Sequence, residues 1–139
     1  MTPQNTSVFL SHINKFSCGK GWENIILTLA NKLDALTESL HGEAFIRALQ
    51  IKEKFGRLTI YWCMEDQEGL PVKNETYDKA KELIEEAKEA ACKVCEKCGS
   101  PSRELKATDG WIHFYCIDCY EEHQKISEWS ASCGRSESV

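Results

Sequence analysis

The sequence predicts an α+β domain built as a helix, a β-hairpin, a long helix and then a four-cysteine segment of zinc-ribbon or treble-clef type. Three observations carry this. Apolar residues recur at intervals of three and four over two stretches, alternate at period two between them, and give way to two Cys-x-x-Cys pairs in the last third. At 139 residues the chain has the size of one folded domain with room for a small appendage. The expected division is a core over 1–94, a four-cysteine segment over 95–126 packed on it, and a flexible tail over 127–139.

The first 21 residues are polar and mixed, and end in Cys18-Gly19-Lys20-Gly21, which reads as a tight turn before regular structure. A helix follows. Trp22, Ile25, Ile26, Leu29, Leu33, Leu36 and Leu40 share one face, and His41-Gly42 supplies a stop. From Glu43 to Met64 two strands are expected: Phe45, Leu49, Ile51 and Phe55 fit most of one period-two face, and Leu58, Ile60 and Trp62 form a clearer one. Gly56 sits where the hairpin turns. Glu65 to Asn74, with Gly69 and Pro71, reads as a loop. Ala80, Leu83, Ile84, Ala87, Ala91 and Val94 then predict an amphipathic helix from Glu75 to about Val94. Beyond the first cysteine pair, Thr108-Asp109-Gly110 between two short β-prone stretches signals a second hairpin, and the second pair opens a short helix.

Four of the eight cysteines fall in Cys95-Glu96-Lys97-Cys98 and Cys116-Ile117-Asp118-Cys119, with 17 residues between the pairs. A Cys-x-x-Cys turn presents two sulfurs on one side of a short loop, and two such turns complete the tetrahedral shell that zinc prefers. Gly99 permits the positive φ that a tight knuckle needs. Two disulfides and an iron site are the alternatives for the same ligands. Cys92-Lys93-Val94-Cys95 competes as the first pair, and Cys95 with Cys98 is preferred because Gly99 follows it. His113 reads as a strand side chain. Four protein ligands leave no open position, so the Zn2+ expected here is structural.

Apolar residues at 42% exclude a chain disordered throughout, and no apolar run approaches the roughly 20 residues of a bilayer span. The opening residues lack a secretory signal, so a cytoplasmic location is expected. A net charge of -5 disfavours indiscriminate binding to phosphate backbones. One local exception is Arg47, Lys52, Lys54 and Arg57, four cations within eleven positions and interleaved with Phe55, Tyr61 and Trp62, the composition of a nucleic-acid surface or of a guarded strand edge. Glu82, Glu85, Glu86 and Glu89 read as the solvated side of a helix. Catalysis is not expected: the turn at Cys18 lacks a phosphate-loop pattern, no deaminase motif surrounds the cysteine pairs, and Cys18 with His12 is proximity in sequence only.

Three segments taken together resemble a family of small proteins of phages, prophages and bacteria that has no assigned activity. They are Cys18-Gly19-Lys20-Gly21-Trp22, the run from Gln50 through Lys52-Glu53-Lys54-Phe55-Gly56 to Leu58, and the two cysteine pairs. The likeness spans about residues 16 to 120, and the chain departs from the family in its Asp66–Asn74 loop and its C-terminal extension. It implies a phage-type accessory protein. The function expected is a zinc-stabilised interaction module whose partner is a host or phage protein, possible anti-defence action included, with nucleic-acid binding through the basic hairpin as the alternative.

Overall fold

The computed structural model describes residues 7–13, 16, 18–101, 105–108 and 112–126. In order these form helix α1 (Glu23–Ser39), entered through a 3-10 turn at Lys20–Trp22, strands β1 (Ala44–Lys54) and β2 (Arg57–Asp66), helix α2 (Glu75–Ala91), short strands β3 (Lys106–Ala107) and β4 (Phe114–Tyr115), and helix α3 over 117–126. The α+β class and the order of elements are as the sequence predicts. The expected tail over 127–139, with Cys133, and the turn residues Asp109 and Gly110 lie outside the described residues.

Helix α1 packs against α2, and the pair covers one face of the antiparallel β1–β2 hairpin. The buried stripe of α1 is Ile26, Leu29, Ala30, Leu33 and Thr37, displaced slightly from the expected face, so that Ile25, Leu36 and Leu40 are only half-buried. His41 and Gly42 both take positive φ, 49° and 83°, and end the helix where expected. Asn74 caps α2, its Oδ1 accepting from the N–H groups of Thr76 and Tyr77 at 3.0 and 3.2 Å. Ala80, Ile84, Ala87 and Ala91 face the core, and the helix stops at Ala91, short of Val94.

The hairpin corrects one expectation. A β-bulge at Leu49 adds a residue to β1 between the pairs Ala48↔Trp62 and Gln50↔Tyr61, and so resets its phase. The inward side chains are therefore Ala44, Ile46, Ala48 and Ile51 opposite Ile60, Trp62 and Met64, while Phe45 lies on the other face and Leu49 and Phe55 are exposed. The hairpin also runs two residues further than expected, to Asp66.

Nor is the N-terminal stretch merely polar. Phe9 and Leu10 are fully buried; the Phe9 N–H donates to Asp34 Oδ1 at 2.8 Å, and its carbonyl accepts from the Ala48 N–H at 2.8 Å, occupying the outer edge of β1. The apolar triplet Val8-Phe9-Leu10 was the signal.

Candidate metal centre

The first cysteine pair sits on a tight knuckle just past α2. The Cys95 N–H donates to the Ser100 carbonyl at 2.9 Å, the Gly99 N–H returns to the Cys95 carbonyl at 2.8 Å, and Gly99 adopts a φ of 80°. The second pair opens α3, whose N-terminal N–H groups and dipole favour thiolate sulfur. The two loops bring Cys95, Cys98, Cys116 and Cys119 together with all four sulfurs within 4.8 Å of one another. Cys98 Sγ and Cys116 Sγ are 3.8 Å apart. A tetrahedron with arms of about 2.3 Å has edges of about 3.8 Å, whereas a disulfide would need about 2.05 Å. The cluster can hold a metal ion, and it holds no disulfide.

Cys92 is not part of it. The thiol is exposed at the end of α2, 3.8 Å from an Arg57 guanidinium nitrogen, so the preferred pairing of Cys95 with Cys98 is the one brought together. Cys98 is the exposed member, and the Ser100 side chain, 3.2 Å away, together with the Ser100 backbone N–H pulls its thiol down to about 6. Burial, reinforced by the neighbouring sulfurs, pushes Cys119 far up. One thiolate is accommodated readily; more than one needs a cation among them.

The surroundings of the knuckle explain what the sequence left unassigned. Glu96, only 2% exposed, directs one carboxylate oxygen at the Gly19 N–H (3.0 Å) and the other at His113 Nδ1 (2.8 Å). Its carbonyl accepts from the Gly21 N–H at 2.7 Å, and its own N–H donates to the Phe114 carbonyl at 3.2 Å. The Cys18–Gly21 turn is therefore more than a lead-in to a helix: it is docked on the cysteine knuckle. The anion that such a turn favours is the chain's own Glu96 carboxylate. Both glycines are required by contact. A Cβ at Gly21 would lie 2.1 Å from the Cys95 carbonyl oxygen, and one at Gly19 would lie 2.4 Å from that of Glu96. His113, expected to be a plain strand residue, instead supports the buried carboxylate and stacks on Tyr115 with ring centroids 5.6 Å apart.

The β1–β2 turn meets the same segment from another side. Gly56 takes a φ of 78°, and a Cβ there would come within 2.4 Å of the Phe114 ring. The three segments that stood out in the sequence thus converge on one place, with the four sulfurs behind it.

Of the four cations singled out in the sequence, Arg47, Lys52 and Lys54 lie on the hairpin face away from α1 and α2, at the pairs Arg47↔Cys63, Lys52↔Thr59 and Lys54↔Arg57, whereas the Arg57 guanidinium turns toward Cys92 at the end of α2. They are not equivalent. Arg47 is bound to Glu65 and lies 3.0 Å from His12 Nε2, so it serves as an internal strut. Lys52 stands 5.7 Å over the Tyr61 ring, and Lys54 and Arg57 are exposed at the tip. Cys18 is half-buried, and its thiol is pushed up to about 12 by burial, with Glu96, Glu23 and Glu53 adding to the effect.

The fold and the site define a small α+β protein with a four-cysteine cluster that can hold a metal ion. The chain matches no protein-family model, no curated protein and no solved structure. Among the described residues no helix is long and apolar enough to cross a membrane.

Proposed function

We propose that the protein is a zinc-stabilised binding module, with the metal as a rivet and the hairpin as the surface it presents. The carrying observation is the backbone-to-backbone seating of Gly19 and Gly21 on Cys95 and Glu96, which turns a closed thiolate cage into the fixture joining three segments. Zinc suits four thiolates with tetrahedral edges and no open position, and such a centre stabilises a shape without binding substrate. Iron would accept the same ligands, so metal identity belongs to the test. Catalysis by Cys18 finds no support. Its thiol remains protonated at neutral pH, and His12 is engaged by Arg47.

Two partner classes were expected, a host or phage protein and a nucleic acid, and the hairpin register favours an anionic partner. Lys52 and Lys54 share one face with exposed Tyr61, and exposed Arg57 stands beside them at the tip, whereas the exposed apolar residues Leu49, Leu70 and the pair Ile117 and Ile126 are spread over β1, the loop after β2 and α3. A small, non-catalytic binder also suits the phage-type accessory role that the resemblance implies. Elemental analysis of purified, reduced protein tests the reading: one zinc per chain is expected, and chelation should release the seating of the hairpin tip. Absence of stoichiometric metal, or iron in its place with a redox-active spectrum, would overturn it.

A further inference from the structure

The β1–β2 turn carries a residue that the turn does not favour. Phe55 and Gly56 are the two central residues of a two-residue loop, and both have positive φ, 54° and 78°, which is type I′ geometry. Asn, Asp or Gly relieves the steric cost at the first position, whereas a bulky side chain there is a backbone outlier. Burial does not compensate, because the Phe55 side chain is 71% exposed, the most exposed of the large apolar residues described. A second unfavourable feature lies beside it. Lys54 and Arg57, like charges on paired positions, close the turn, the Arg57 guanidinium turned toward Cys92, and Lys52 follows on the face of Lys54.

The turn itself is held firmly. The Gly56 N–H donates to Glu53 Oε2 at 2.6 Å, and Gly56 is seated against Phe114 and Ile112 of the four-cysteine segment. An exposed flat ring is thus fixed on a rigid mount and flanked by cations, in a chain whose net charge is -5. Strain of this kind, concentrated at one exposed point, directs attention to a ligand.

We infer that the hairpin tip binds single-stranded nucleic acid, with Phe55 stacking on an unpaired base, Tyr61 offering a second platform, and Lys52, Lys54 and Arg57 meeting phosphates. This rests on reading the hairpin face as the binding surface. Stacking uses the π-face that every unpaired base exposes, and phosphates relieve the opposed cations. An acidic polypeptide would satisfy the cations but gives no use to the ring, and a duplex hides its base faces.

The test is fluorescence anisotropy of the full zinc-loaded chain with labelled oligothymidylate and oligouridylate of about a dozen nucleotides, across a salt series. Binding is expected to weaken with salt at a log–log slope near -2, from about 0.7 per phosphate contact over three cations. Phe55→Asn installs a residue that tolerates positive φ, so folding should hold or improve while affinity falls roughly tenfold or more; Phe55→Trp should retain it. Lys54→Gln with Arg57→Gln should flatten the slope by about 1.4. The two oligonucleotides distinguish DNA from RNA as the source. No binding at low salt, equal affinity for the matching duplex, unchanged affinity in Phe55→Asn, or equally tight binding of polyglutamate would each overturn the inference. If these failures occur with one zinc still bound per chain, the metal-stapled module stands and only its ligand assignment falls.

Discussion

The two halves of the molecule are held together by different physics. Residues 7–94 enclose Phe9, Trp22, Ile26, Leu33, Ile46, Ile51, Leu58 and Ile84 at near-zero exposure, a core that burial alone can sustain. Among the described residues after 94, the buried hydrophobic cluster consists of Cys95, Cys116 and Cys119, with Leu105 and Tyr115 packed against it. A piece of about 30 residues is too small to close by burial alone and needs a metal or disulfides. The lesson lies in the join. The second half is keyed into the first by backbone contacts at Gly19 and Gly21 and by Gly56 seated on the Phe114 ring, so that the geometry of the sulfur cluster reaches the N-terminus of α1 and the tip of the hairpin.

With zinc bound as proposed, the largest effect should come from removing it. Chelation, or Cys116→Ser, is expected to forfeit on the order of 10 kcal/mol of binding free energy that holds residues 95–126 folded. Hydrogen exchange should then report lost protection there and at Gly19–Trp22, with the α1–α2–hairpin core retained. Uniform loss throughout would break the comparison, since it would mean that the core cannot stand without the rivet. Ile84→Ala, in a fully buried position of α2, should cost about 2–5 kcal/mol in denaturant unfolding and leave zinc stoichiometry unchanged. Metal loss in this variant would show that the halves are not separable.

Gly21→Ala sharpens the join itself. The added Cβ falls 2.1 Å from the backbone oxygen of Cys95, a member of the sulfur cluster, so about 1–3 kcal/mol of destabilisation and, with zinc bound as proposed, faster transfer to a chelator are expected although all four cysteines remain. Zinc transfer at the wild-type rate would mean that the knuckle and the turn move independently. The smallest effect concerns Cys18. With its thiol pushed up to about 12, the thiolate fraction at pH 8 is about one in ten thousand, so alkylation should lag far behind that of exposed Cys92. Because the raised value keeps the proton on, the rate should continue to climb between pH 9 and pH 12. A plateau near pH 9 would place Cys18 in water, away from the docked turn.

Periodicity made α1, β2 and α2 legible, because each buries a single face whose spacing is written locally, and the Cys-x-x-Cys spacing identified the four sulfurs for the same reason. The phase of strand β1 is not legible in the sequence. One bulged residue at Leu49 reverses inward and outward for everything before it, and nothing local marks a bulge at a leucine. The role of Cys18-Gly19-Lys20-Gly21 was hidden for another reason: its partner, Glu96, is 77 residues away from Gly19.

What the sequence determined alone was therefore whatever is encoded within a turn or two of the chain: helix stripes, the hairpin turn and the ligand pairs. Only the tertiary structure decided why the glycines stand where they do, why Glu96 and His113 share a contact, and that Lys52, Lys54 and the exposed Tyr61 ring occupy one face. Those are properties of surfaces meeting across large separations in the chain, where steric fit depends on the path of the backbone between them.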